Sequence, residues 1–276
     1  FTPTYPDYYY GAEKAVHVTV MHREIGDKDI TFTYGESFVY TGKVIIPYID
    51  GEYKYDENNA LGLVENNDYT LTYPEDATNV GKKKITVTGH GNFGGTTELE
   101  YEITPSAQTP FIDLELPENG YVYDGTDKTP SVTVKVNGTV LTEGKDYELA
   151  YSNNRNAEDG AKVTVTAKGN YGFEPIVRYF SIAKADSVID TEPAANSFTY
   201  DALSHGLLIE GEATGGSFEY KLGDGGWVRD IPMAKDAGEY TVWYRVIGDS
   251  NHNDIGEKSV KVTIEHKDIA DADIVL

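Results

Sequence analysis

Residues 85–94 read ITVTGHGNFG and residues 163–172 read VTVTAKGNYG, an offset of 78. In each, β-branched and polar residues alternate, which places Ile85 and Val87, or Val163 and Val165, on one face of a strand. Each run then closes on an Asn–aromatic pair between glycines, the composition of a turn. That turn is expected to deliver its ring, Phe93 or Tyr171, inward. A strand and turn recurring at a fixed distance mark a repeat, and a repeat decides the fold before any single element does.

The same offset relates NDYTLTY at 67–73 to KDYELAY at 145–151, and FVYTG at 38–42 matches YVYDG at 121–125. A more divergent third copy carries FTYDA at 198–202 and DAGEYTVWYRV at 236–246, without the glycine after Asp201. The chain also opens and closes on one phrase: VTVMHREIGDKDI at 18–30 and VTIEHKDIADADI at 262–274, 244 positions apart. With Ile30, Ile112, Ile189 and Ile274 as equivalent starts, the steps are 82, 77 and 85. This register divides the chain into modules at 29–110, 111–187 and 188–272. Residues 1–28 become the tail of a preceding module, since EKAVHVTVMH at 13–22 parallels EKSVKVTIEH at 257–266, and residues 273–276 the start of a following one. The N-terminal piece is expected to pack on the first module or to be poorly ordered.

Within 111–187 seven short strands are expected, near 111–116, 121–123, 131–136, 139–142, 146–151, 161–168 and 176–182. Seven in about 80 residues suits a sandwich. Asn137-Gly138, between SVTVKV and TVLT, predicts a two-residue hairpin turn with positive φ at both centres; Asn137-Gly138-Thr139 is also a glycosylation sequon, which the turn explains without glycan. Alternation puts Tyr69, Leu71 and Tyr73, and likewise Tyr147, Leu149 and Tyr151, on core faces. No segment carries a capped helical pattern. Junctions such as ITPSAQTPFID and SIAKADSVID are short, so neighbouring modules should be semi-rigidly connected. The fold expected is all-β: three tandem Ig-like β-sandwich modules in an elongated array, with partial modules at both ends.

The phrases YVYDGTDKTPSVTVKVNGTVLTEGKDYELAYSNNRNAEDG, AKGNYG and GEYTVWYRVIGDSNHND resemble the tandem Ig-like repeats of bacterial surface and secreted proteins known as YDG or MBG-type domains. The resemblance implies extracellular, non-catalytic modules that hold another domain away from the cell or bind host or glycan partners. An insertion around 50–67 sets the first module apart.

Composition agrees with a β-protein and narrows the partners. Tyr (22) outnumbers Phe (9) and Met (2), and there is no Cys, so no disulfide or thiol chemistry. With 46 acidic and 23 basic residues the net charge is -23, which repels phosphate backbones and excludes nucleic acid as a natural partner. No window reaches the roughly 20 apolar residues of a membrane-spanning helix, and no export leader is visible. If the protein is exported, its leader is removed or lies upstream.

Chemistry is sparse. Neither G-x-S-x-G, H-E-x-x-H nor a P-loop is present, and His17, His22, His90, His205, His252 and His266 show no metal-pair spacing. No catalytic residue, cofactor or metal is assigned. Asp249–Asp254 (DSNHND) mimics the opening of a calcium loop, but the sixth position lacks glycine and Val260 stands where a bidentate Glu belongs; an Asn/Asp turn accounts for it. Internal Lys–Asn crosslinks are an alternative to disulfides that intact mass would reveal. The candidate ligand-binding residues are Trp243, Trp227 and Arg245. If Tyr240, Val242 and Tyr244 face the core, Trp243 points outward with Arg245, either to stack on a sugar ring or anchor a host protein, or to pack against a neighbouring module or long side chain. Tyr8, Tyr9 and Tyr10 read either as a second aromatic strip or as core of a truncated module left half-covered.

Overall fold

The computed structural model describes residues 14–268, and within them every regular element is a β-strand. The described chain is all-β. It divides into two compact units: the described residues up to Gln108 with Lys168–Phe173, and Thr109–Ala167 with Glu174 onward.

In the first unit, Ile30–Tyr34, Ile49–Lys54 and Ala60–Leu63 form one antiparallel sheet. A second, four-stranded sheet runs Ser37–Val39, Thr96–Thr104, Gly81–Gly89, Tyr69–Thr72, with the first pair parallel. Every second residue faces between the sheets, as alternation dictates. Ile30 and Leu63 from one sheet meet Tyr69 and Val87 from the other, joined by Phe93. Ile49 meets Ile85, Tyr101 and Ile103 in the adjoining cluster. Burying each such aliphatic side chain is worth roughly 1.5–3 kcal/mol. Residues 50–67, the segment that sets this module apart, are a hairpin whose turn is closed by Asp56 accepting from the Asn58 backbone and the Asn59 amide.

The second unit holds two sets of strands. Seven segments expected in 111–187 are strands at Phe111–Glu115, Tyr121–Val122, Ser131–Val136, Thr139–Val140, Tyr147–Ser152, Lys162–Ala167 and, split around Phe180, Ile176–Tyr179 and Ile182–Ala183. Asn137 and Gly138 have φ of 49° and 81°, as a type I′ hairpin turn requires. Val188–Thr191 pairs with Glu212–Thr214, while Phe198–Thr199, Ile255–Glu265, Gly238–Gly248 and Gly216–Leu222 make a four-stranded sheet. Leu207, Leu208, Tyr220, Val242, Tyr244, Val262 and Ile264 form its core.

The motif residues are turn-makers. Asp68 and Asp146 of the Asp-Tyr pairs accept the backbone N–H of Val64 and Thr142, fixing the turn that starts each tyrosine strand. Asp124 of YVYDG accepts from Thr126 N and Oγ1 and meets Lys128; the lysine, then the threonine bonds, hold its carboxyl well below the usual range. Gly125 follows at φ 76°, but its counterpart in the third copy is Ala202 at φ 64°, where a Cβ is strained. Ala202→Gly should therefore raise stability by about 1 kcal/mol in urea unfolding followed by tryptophan emission; a lower midpoint would contradict this.

Tyr220 is 1% exposed and its hydroxyl has no hydrogen-bond partner among the described residues, so burial pushes its phenol pKa up. Tyr220→Phe removes that desolvated hydroxyl and should stabilise by about 1 kcal/mol. Tyr244→Phe is the contrasting case: it deletes a bond to Glu192, which Lys258 also holds at 2.5 Å, and should destabilise. Calorimetry on the two variants compares them directly.

Candidate functional site

Val242, Tyr244 and Val246 are the buried side of Gly238–Gly248, at 0%, 4% and 0% exposure. Trp243 and Arg245 therefore point away from the core, half-buried on the outer face of the four-stranded sheet. Register sets Lys221 beside Trp243 and Glu219 beside Arg245. Trp227, brought back by the bridge between Tyr220 and Val228, joins them. The result is a ladder: the Arg245 guanidinium lies 4.4 Å from the Trp227 centroid, Lys221 Nζ 4.7 Å from Trp227 and 5.5 Å from Trp243. Glu219 pairs with Arg245 at 2.8 Å, and Glu257 lies 3.7 Å from Lys221.

The structure thus brings Trp243, Trp227 and Arg245 onto one patch and adds Lys221, Glu219 and Glu257. Sequence reading missed those three because cross-strand register, not spacing, makes them neighbours. Cations already stacked on the indoles are worth about 0.5–1 kcal/mol each at such exposure. The patch has the chemistry of a packed outer face, with the long side chains foreseen as one alternative.

A second arrangement recurs three times, at the Asn–aromatic turns. Arg23–Glu24 runs parallel to Phe93–Gly94, Ser106 bridges Tyr171, and Ala185–Asp186 runs parallel to His252–Asn253. In each, the asparagine carbonyl accepts from the passing strand: Arg23 N to Asn92 O at 2.9 Å, Ser106 N to Asn170 O and Ala185 N to Asn251 O at 3.0 Å. Close approach of this strand explains the second glycine, since a Cβ at Gly94 or Gly172 would stand 3.2 or 3.0 Å from the Cβ of His22 or Pro105.

Two of the asparagine side chains also reach a distant loop. Asn170 Oδ1 accepts from Val80 N, and Asn251 Oδ1 from Ala157 N, both at 2.9 Å. The neighbouring ring then meets the tyrosine of the FVYTG or YVYDG motif edge-on: Tyr171 on Tyr40 at 5.7 Å and His252 on Tyr123 at 5.3 Å. The inward ring expected of both glycine turns holds for Phe93, 5% exposed in its own core. It does not hold for Tyr171, which turns to Tyr40 because that ring and the Val80 loop stand within reach of its turn.

The DSNHND segment uses its oxygens on protein donors. Asp249 accepts from Asn251 N and His252 Nδ1, the histidine bond lowering its pKa most, and Asp254 accepts from Gly248 N. Among the described residues no group of three or more acidic or histidine side chains converges as a metal site. Buried Lys83 and Lys128 end on the carboxylates of Asp76 and Asp124, not on asparagine amides. Also among the described residues, no helix is long and apolar enough to cross a membrane. Tyr8, Tyr9 and Tyr10, and the start of a module at 273–276, lie outside the described residues.

Neither a family model nor a curated protein matches the chain. Among solved structures it is similar, at low identity, to fragments of titin and of a protocadherin. An I-band fragment of titin is 13% identical with a TM-score of 0.29, covering 87% of this chain and 99% of that one. A protocadherin gammaB7 fragment is 10% identical with a TM-score of 0.26, covering 86% and 73%.

Proposed function

We propose that the chain is a non-catalytic repeat region of a bacterial surface or secreted protein, its modules at 29–110, 111–187 and 188–272 acting as an extracellular spacer or adhesive stalk. The observation that carries this reading is the recurring use of one turn, Asn with its aromatic neighbour, to clasp a connecting strand and a loop elsewhere in the chain. A connection made through backbone hydrogen bonds at each turn resists bending in a way that a flexible linker does not. The motif residues support the same reading, since Asp68, Asp146 and Asp124 are spent on turns. High negative charge would keep neighbouring copies apart. The resemblance of YVYDG, Lys-Asp-Tyr and Gly-Asn-Tyr to YDG or MBG-type repeats is the basis for the bacterial and extracellular part of the proposal.

The competing reading is a carbohydrate- or host-protein-binding module at Trp243, Trp227 and Arg245. A glycan array probed with the chain and with Trp243→Ala separates the two. The spacer reading expects no specific glycan signal from either protein; a signal present in the parent and lost in Trp243→Ala would replace it with the binding reading.

A further inference from the structure

The turn-clasping arrangement has an acceptor side, made of four positions that recur in the chain. The first is the motif tyrosine, Tyr40 or Tyr123, whose N–H donates to Thr104 O or Ala183 O at 2.8 and 2.9 Å. Two residues beyond that carbonyl stands the strand residue that donates to the asparagine carbonyl, Ser106 or Ala185. The fourth is the loop N–H that donates to the asparagine side chain, Val80 or Ala157.

The third copy carries the same set. Tyr200 N donates to Glu265 O at 2.9 Å, so Tyr200 stands where Tyr40 and Tyr123 stand, and Lys267 where Ser106 and Ala185 stand. Gly81 pairs with Ile103 and Gly238 with Ile264, each one residue before the end of the carbonyl strand, so Ala237 takes the place of Val80. These residues do not merely correspond. Tyr200, Ala237 and Lys267, with Asp236 and His266, line a single cavity of about 340 Å³ at the end of the third sandwich.

We infer that this cavity is the docking site for the Asn–aromatic turn of a further module of the same type, a partner defined by a Gly-Asn-Tyr-Gly or Ser-Asn-His-Asn turn. The inference rests on the repeat reading given above and adds a defined attachment point to it. The asparagine side-chain oxygen would accept from Ala237 N, and its aromatic neighbour would meet Tyr200 edge-on. A second copy of this chain is the poorer occupant. Its Phe93 is buried in its own core, and its Asn170 and Asn251 turns are already engaged within the chain. The occupant is therefore an unengaged Asn–aromatic turn of another module of this type, which joining such a module to the chain would present.

The register equates Ile274 with Ile112, so the test extends the full chain after Leu276 with a second copy of residues 115–187. Amide exchange is read residue by residue by NMR. Protection of Ala237 should rise at least 10-fold on extension, and Asn170→Ala in the appended copy alone should abolish that gain. Unchanged protection with a folded appended copy, or a gain that survives the substitution, overturns the docking site. Extension with residues 192–276, whose turn carries Asn251 and His252, repeats the test through a different sequence should the first extension fold poorly. Failure of both extensions to protect Ala237, with an empty glycan array, removes the docking site and leaves the spacer reading standing.

Discussion

Tyr101→Ala is expected to destabilise the first unit by about 3–5 kcal/mol while leaving the tryptophan-detected unfolding transition in place. Tyr101 is 1% exposed, packs edge-on against Phe38 with centroids 6.0 Å apart, and donates its hydroxyl to Ile45 O at 2.9 Å. The substitution empties the middle of a cluster built from Ile49, Ile85 and Ile103 and leaves a carbonyl without its donor. For a domain whose total stability is of order 5–15 kcal/mol, that is a large share. Both tryptophans, Trp227 and Trp243, lie in the other unit, at its four-stranded sheet, and report on the unfolding of that sheet. Urea unfolding followed by tryptophan emission should keep its midpoint, while hydrogen exchange at Ile85 and Val87 accelerates by two orders of magnitude or more. A tryptophan midpoint that falls with the exchange protection would mean that the cores are not separate.

Asn251→Ala is the second large effect. Ala157 is 4% exposed, and its N–H has the Asn251 side-chain oxygen as acceptor at 2.9 Å. Alanine leaves that buried donor unpaired, at about 1–3 kcal/mol, and frees the turn that holds His252 against Tyr123. Exchange at Ala157 and Ala185 should rise by at least 10-fold, with Val163 and Val165 in the nearby strand unaffected. Asn251→Asp retains an acceptor oxygen and should cost less. Exchange at Ala157 equal to that of the parent would remove the side-chain clasp from the description.

What could be read from the sequence follows from the range of the interactions. Alternation in SVTVKV and KVTVTA, and the Asn137-Gly138 turn, are local, and strands and hairpin stand where those residues place them. The outward direction of Trp243 also follows from the period of two once Val242 and Tyr244 are core. The clasp is different in kind. Asn170 and Val80 are 90 residues apart, and Asn251 and Ala157 are 94 apart, so no periodicity links them. One signal was available: an asparagine precedes the aromatic residue in all three turns, at Asn92-Phe93, Asn170-Tyr171 and Asn251-His252, which a turn alone does not require.

The opening phrase shows the other limit. Val18 and Val20 stand where Val262 and Ile264 stand, yet they are 79% and 89% exposed and their counterparts 0% and 1%. Identical alternation marks a residue as capable of burial, and only a facing sheet buries it. In the same way the cross-strand neighbours of the indoles, Lys221 and Glu219, are fixed by register, which the strand pattern alone leaves open.

Stretching the single chain from its two ends while recording extension counts its cores. Three separately buried modules of about 80 residues should give three unfolding events, each lengthening the chain by about 25 nm once the folded span is subtracted. One event that releases the whole chain, or two whose lengths match the two compact units, would contradict the division into three.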